Sequence, residues 1–525
     1  MRLSVTVEPS LPPLAWCVRL GRGDAKILCG TAVEVRADGF FEGAWAGDAD
    51  SFDFASAVDV FGSGGRIVGD DLIIVTPSHT LERIQYIRRG DETLVSNSLV
   101  FLLTAARAEL DPHHAGYATD FAGIVYDGMQ KFDTAIPVRF IEGPRRTNGE
   151  AHLVYVNNAC FHRNGRVSFL EKPAGQPFET YDEYVALLTD VLQQTVDNAC
   201  APSRAATYSP LASISSGYDS PAVAALAHRV GCTKAFTFTH ARTRNAQPED
   251  DSGKPIADVL GYELTEFDRE AYRNIGDFPE AEFLATGMSG EDVNMAGLEA
   301  AISRTVFFSG HYGGRVWDLH TYPDELLRRG DMSGASMNEF RLRADFVHVP
   351  VPFIGARRHP KILEIAQSHA MRSWSIGTDY DRPVPRRIAE DAGVPRADFG
   401  HTKRATTALL HIPGDSAWTP QTRDAVHGYA KAQHLPMRTR VSYVVDALGE
   451  SLRSFTYRVL RRLSLLRLSP SLATRPLGIH SHTHLGPLPM LWATEFIRPR
   501  YRAAVEMWRG DMVRPSRRDE VSCAD

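Results

Sequence analysis

Leu211-Ala-Ser-Ile-Ser-Ser-Gly-Tyr-Asp-Ser-Pro-Ala-Val-Ala-Ala-Leu-Ala-His228 decides how this chain is read. A short apolar strand runs into a turn of small residues and then into a helix. Ser220 suits the N-cap, and Pro221 suits the first helical position, where no backbone N–H is needed. Ser215, Ser216, Gly217 and Ser220 offer hydroxyls and approachable N–H groups at the positive end of a helix dipole, which makes the turn an anion site. Asp219 inside the turn makes chemical sense if it holds a cation that neutralises bound phosphates. Taken alone, a well-capped strand–turn–helix explains the same residues as well.

Outward from this stretch the pattern repeats. From about Tyr181, residues Tyr184, Leu187, Leu188, Val191 and Leu192 fall at helical spacing and open a second domain. Pro173-Ala-Gly-Gln-Pro177 reads as the linker before it. From there to about residue 410, short apolar strands alternate with helical patterns, the signature of a parallel sheet. Residues 1–160 read as mostly β. Leu3, Val5 and Val7 alternate with polar residues, and Asp71-Leu-Ile-Ile-Val-Thr76 and Thr93-Leu-Val-Ser-Asn-Ser-Leu99 read as strands. No helical pattern follows Gly62-Ser-Gly-Gly65, so it reads as a hairpin turn rather than a phosphate loop.

Composition bounds the function. The chain has 525 residues, is 43% hydrophobic and carries a formal net charge of -6. It is globular, and bulk charge gives no reason to expect nucleic acid as a partner. Six cysteines occur without a C-x-x-C pair, which argues against a zinc ribbon, an iron–sulfur site or a disulfide scaffold and fits a reducing cytoplasm. The N-terminus lacks the apolar core of a secretion signal, and no stretch is apolar enough to span a membrane. After residue 430 the chain reads as helical. Arg453, Arg458, Arg461, Arg462 and Arg467 interleave there with leucines and aromatics. A helix that packs its leucines and solvates its arginines is preferred over a membrane-surface helix or a contact for an anionic partner. His480-x-His482-x-His484 lies among glycine and proline and reads as an exposed loop rather than a metal site.

Ser215-Ser-Gly-Tyr-Asp-Ser220 resembles the pyrophosphate loop S-G-G-x-D-S of the ATP pyrophosphatases, with Ser216 in place of the first glycine. Four further segments resemble the asparagine-synthetase and β-lactam-synthetase branch of that superfamily, in the right order. They are Ala235-Phe-Thr-Phe-Thr239, the motif from Thr305 to Trp317, Phe346-Val-His-Val-Pro-Val-Pro-Phe353, and Arg387 to Arg396 followed by His401-Thr-Lys-Arg404. The resemblance covers residues 180–410. It implies that ATP is cleaved between its α and β phosphates, that the loop holds the departing pyrophosphate, and that an acyl-adenylate forms. It further implies nucleotide contacts at Ile214, Ser215, Ser216, Gly217, Asp219, Ser220, Phe238, Ser309 and Gly310, Mg²⁺ on Asp219, and catalysis by Lys403. A fixed ammonium there would stabilise charge as pyrophosphate leaves. His311 takes the position of the branch's acidic or tyrosyl catalytic residue. A neutral imidazole there suits a general base, and Tyr312 is the alternative. Glu291-Asp292 reads more simply as an acid pair at a helix start than as a substrate or metal contact.

The departures shape the expectation. The branch's second metal-binding aspartate corresponds to Gly314 and the following glutamate to Arg315, with Asp318 close by. Val95-Ser-Asn-Ser-Leu-Val-Phe-Leu-Leu103 resembles a segment of the same family's glutaminase domain, whose nucleophile is an N-terminal cysteine. Here position 2 is Arg2, while Cys17 and Cys29 are internal, so no glutamine hydrolysis is expected. The expected fold is α/β: a degenerate, β-rich Ntn-hydrolase-like (αββα) domain over 1–175, then a parallel-sheet adenine-nucleotide α-hydrolase-like synthetase domain over 180–525 with a helical C-terminal extension. The expected function is an ATP- and Mg²⁺-dependent ligase joining a small-molecule or peptide carboxylate to an amine or ammonia, in specialised biosynthesis. It would be cytoplasmic, with no nucleic-acid partner, and a homodimer is compatible with it. The competing expectation is an inactive relative acting as a binding or scaffold subunit. A tRNA-thiolating enzyme is disfavoured by the unpaired cysteines.

Overall fold

In the computed structural model, the described residues are 1–21, 23–114, 116–240, 251–329, 331–401, 418–435, Thr456, Val459 and 487–510. The alternation at the N-terminus becomes the strand Arg2–Val7, and two sheets follow before the helix Tyr181–Cys200. One sheet has eight strands, all antiparallel except the pair Arg2–Val7 and Asp24–Cys29. The other has six, all antiparallel. They share one apolar layer. Trp16, Ile27 and Val95 of the first meet Phe40, Ile74 and Phe161 of the second. The ring centroids of Trp16 and Phe40 are 5.0 Å apart, edge to face. The helix Leu99–Ala105 covers the eight-stranded sheet, and Tyr181–Cys200 covers the strand Gly39–Trp45 of the six-stranded one.

Two local expectations are corrected. Gly62-Ser-Gly-Gly65 is no hairpin turn but the interior of the strand Val60–Val68. Its neighbour Gly39–Trp45 approaches so closely that a Cβ on Gly62 would lie 2.0 Å from the Glu42 carbonyl oxygen, and one on Gly64 2.2 Å from that of Phe40. Glycine is there for backbone proximity, which a turn signal mimics. The expected strand 93–99 ends early. It spans Glu92–Ser96, and Ser98 caps the next helix by accepting from the Phe101 N–H at 3.0 Å.

The second half holds a separate five-stranded sheet, parallel throughout. Its spatial order is Glu263–Phe267, Lys234–Phe238, Ser209–Ser213, Thr305–Ser309, Val347–Pro350. The last two strands are buried at every residue, so they read as unbroken apolar runs. The helix Tyr181–Cys200 opens this half with a capping box between Thr180 and Glu183.

The helix Pro499–Arg509 returns to the N-terminal half. Tyr501 stacks on Phe101 at 4.7 Å, and Arg509 pairs with Glu92 at 3.1 Å. Tyr501 Oη also donates to Glu339 at 3.2 Å, as does Ser98 Oγ at 2.8 Å. Burial pushes the Glu339 carboxyl up to about 7. A carboxyl raised in the folded state contributes stability that is full below its unfolded value and is lost as pH rises through the folded one. The window is pH 4.5 to about 7, and the loss is about 3 kcal/mol at ~1.4 kcal/mol per unit. Relative to wild type, Glu339→Gln should therefore gain about that much between pH 5 and pH 8 in urea denaturation. Profiles that run parallel would show that Glu339 does not titrate in this window.

No helix among the described residues is long and apolar enough to cross a membrane. Apart from Thr456 and Val459, the arginine-rich stretch Leu452–Leu468 lies outside the described residues, as do His480, His482 and His484.

Candidate nucleotide site

The chain leaves the strand Ser209–Ser213 toward Lys234–Phe238 on one side, then returns to lay Thr305–Ser309 on the other. The crevice where the winding reverses, beyond the strand ends, is where open parallel sheets bind ligands. A cavity of about 370 Å³ opens there, within the range of small-molecule sites. Ile214, Ser215, Gly217, Asp219, Ser220, Phe238, Ser309, Gly310, His311 and Tyr312 all line it, so these expected site residues converge on one place. Lys403 lies outside the described residues.

The loop is a tied structure. Ser220 does not cap the helix, which begins at Asp219 with Tyr218 before it. Its hydroxyl instead reaches back to accept from the Ser215 N–H at 3.0 Å and contacts the Ser215 hydroxyl at 2.7 Å. Ser216 is tied as well. Its N–H and its hydroxyl both donate to Asp251, at 3.2 and 2.5 Å, so they are engaged by a carboxylate rather than offered to phosphate. Tyr218, fully buried, is held by the Arg386 guanidinium, which donates to its Oη at 2.6 Å. Two glycines let the second motif nest against this turn. A Cβ on Gly310 would lie 2.8 Å from Asp219 Cβ, and one on Gly313 2.5 Å from Asp219 Cγ.

Asp219 does not present itself as a metal ligand. Arg382 Nη1 donates to both of its carboxylate oxygens, at 2.7 and 2.6 Å. The Arg382 side chain is only 4% exposed. A Cβ on Gly314 would lie 3.1 Å from Arg382 Nη2, so the guanidinium approaches the place where the resemblance implies a second acidic ligand. A hard divalent cation needs several oxygen donors. Both oxygens of Asp219 are already engaged by an arginine, so as arranged its carboxylate does not fit Mg²⁺.

A chain of polar groups runs from the cavity into the protein. His311 Nδ1 is 2.8 Å from Ser309 Oγ, which is 2.7 Å from His348 Nε2. His348 Nδ1 faces Glu82 at 3.9 Å. Burial lowers the pKa of His311 and holds that of His348 well below the ordinary value, so both rings are neutral near pH 7. A hydroxyl has one proton to give and can accept two, so at most one of the two histidines accepts from Ser309 and at least one donates to it. The tautomer of His348 with its N–H on Nδ1, on the side of Glu82, leaves Nε2 to accept from Ser309 and makes His311 Nδ1 the donor. That leaves His311 Nε2 with its lone pair available as a base. Tyr312 stacks on Phe353 at 4.2 Å, and burial pushes its phenol up, which makes it the poorer base. Asp292 is not directed to a ligand either: it accepts from the Gly334 N–H, the Ser336 N–H and the Ser336 hydroxyl.

Sequence reasoning missed Arg382, Asp251 and His348. Only His348 left a signal, a histidine inside the apolar strand Val347–Pro350. Arg382 sits among other arginines before a proline and has no periodicity to betray it. In the N-terminal half, burial pushes the Cys29 thiol up to about 12 and the Cys17 thiol up as well, so neither is a thiolate at neutral pH. Comparison of the chain with protein-family models and with curated proteins gives no match.

Proposed function

We propose that the chain is an ATP-dependent, AMP-forming carbon–nitrogen ligase. The observation supporting this most directly is the convergence of segments spread from Ser213 to Arg382 on one crevice at the switch point of a parallel sheet. In the proposed reaction a carboxylate oxygen of a small molecule or peptide attacks the α-phosphorus of ATP. The Pα–O bond to the β-phosphate breaks, and pyrophosphate leaves over the Ser215–Ser220 turn at the start of the helix Asp219–Arg229. Phe238 lines the wall that would take the base. An amine then adds to the acyl carbon and gives its proton to His311 Nε2, after which AMP departs with the electron pair of the acyl C–O bond. Arg382 supplies fixed positive charge beside the loop, and no residue is assigned to Mg²⁺. Lys403 keeps its role of stabilising developing charge on the resemblance alone.

Pyrophosphate release from ATP, measured across amino acids, dicarboxylates and peptides with and without amines, tests this reading. Release with at least one carboxylate is expected. His311→Ala should retain acyl-adenylate formation but lose roughly 10²–10⁴-fold in amide formation. Tyr312→Phe should change neither step by more than about tenfold. The second reading, an inactive binding subunit, has the Asp219–Arg382 pair and the Ser216–Asp251 bonds in its favour, since both occupy groups of the loop. It predicts neither pyrophosphate release nor uptake of nucleotide in calorimetry.

A further inference from the structure

The geometry points to a zinc-class metal site in the N-terminal half, made by Asp71, Cys160 and His162 and separate from the crevice. The strands Asp71–Val75 and Asn158–Phe161 are antiparallel neighbours, with Cys160 opposite Ile73 and Phe161 opposite Leu72. Continuing this register by one residue sets His162 across from Asp71. Cys160 and His162 are two apart, so they share a face of the strand. Three different ligand types therefore meet on one pair of strands from positions far apart in sequence.

Their spacing matches one face of a coordination tetrahedron. Asp71 Oδ2 lies 2.9 Å from His162 Nδ1 and 3.9 Å from Cys160 Sγ, and Sγ lies 3.8 Å from Nδ1. Bond lengths of about 2.0–2.3 Å at a tetrahedral angle require ligand atoms roughly 3.3–3.6 Å apart. Adjustments of a few tenths of an ångström suffice. His162 Nε2 is 2.8 Å from Ser168 Oγ, the kind of partner that fixes the tautomer and ring plane of a metal-bound histidine. The other oxygen of Asp71 accepts from the Arg163 N–H at 3.3 Å. The Asp71 and His162 side chains are 34% and 28% exposed, so an ion can reach the site, and three protein ligands leave a fourth position for water.

Without metal the same atoms form a histidine–aspartate hydrogen bond beside a thiol. Binding replaces the proton between Nδ1 and Oδ2 with the ion. The imidazole stays neutral by carrying its proton on Nε2, directed at Ser168, and the Cys160 thiol releases one proton to solvent. One thiolate and one carboxylate then balance a dipositive ion. A thiolate, an imidazole and a carboxylate together select zinc over Mg²⁺ or Ca²⁺.

The test is cobalt titration of the full-length chain in a non-chelating reductant, read by thiolate-to-cobalt charge-transfer absorption. One equivalent should saturate the band, and zinc should displace it. Cys160→Ser should abolish the band, and Ser168→Ala should weaken binding roughly 10–100-fold while leaving the ligands in place. Circular dichroism confirms that each variant is folded. If Cys160→Ser does not fold, Asp71→Asn replaces it, with the same expectation. A band absent at one equivalent, or one that survives removal of a ligand, overturns the site. Neither outcome bears on nucleotide binding, which is assayed separately.

Discussion

Arg341→Ala should lower folding stability by about 3–5 kcal/mol, the usual effect of removing one partner from a buried ion pair. Arg341, on the helix Asn338–Ala344, is 2% exposed and pairs bidentately with Glu42 at 2.7 and 2.9 Å. Its Nε also faces Glu82 at 3.0 Å. Glu42 is fully buried in the six-stranded sheet and also accepts from Ser63 Oγ at 2.8 Å. Alanine would leave two carboxylates facing each other without a cation in a dry interior. Burial, and the neighbouring charge of Glu42, already push Glu82 up to about 7 even against Arg341. The deficit should therefore shrink at acid pH, where Glu82 protonates. Arg341→Met combined with Glu42→Gln and Glu82→Gln should recover most of the loss, because no charge then remains buried. The midpoint shift in urea reads the effect. A loss below about 1 kcal/mol for Arg341→Ala would mean that water reaches the pair.

The parts of this molecule that could be read from sequence are those with a local cause. The helix Tyr181–Cys200 shows its apolar stripe, and the strands Thr305–Ser309 and Val347–Pro350 show largely apolar runs because both of their faces are covered. The turn from Ser215 to Ser220 shows its small residues. The missed or misread features depend on what comes near from elsewhere in the chain. Gly62 and Gly64 are glycines because another strand lies against them, and nothing beside them in sequence says so. The Ser220 hydroxyl serves its own loop instead of the helix end, a choice that capping statistics cannot anticipate. Arg341 meets Glu42 across 299 positions and Arg382 meets Asp219 across 163, distances over which no period operates. The candidate site was thus legible as a set of backbone positions but not as a charge distribution.

The Asp219–Arg382 pair gives the candidate site its sharpest test. An isolated carboxylate would repel a triphosphate. Two unit charges about 4 Å apart interact by roughly 4 kcal/mol at an effective dielectric constant near 20, about a thousandfold in affinity. Arg382→Ala exposes that repulsion, and ATP affinity in calorimetry should fall by about 10²–10³-fold, discounted for screening by solvent at the mouth of the crevice. Asp219→Asn removes the carboxylate while keeping the guanidinium, and affinity should stay within about tenfold of wild type. The double variant should bind better than Arg382→Ala alone, since only the single variant leaves an unpaired negative charge beside the phosphates. The opposite order, with Asp219→Asn losing binding and Arg382→Ala retaining it, would identify Asp219 as a metal ligand. It would also mean that the arginine is displaced when nucleotide enters. Titrations repeated in excess chelator separate these cases again, because a guanidinium that neutralises Asp219 keeps working when divalent cations are removed.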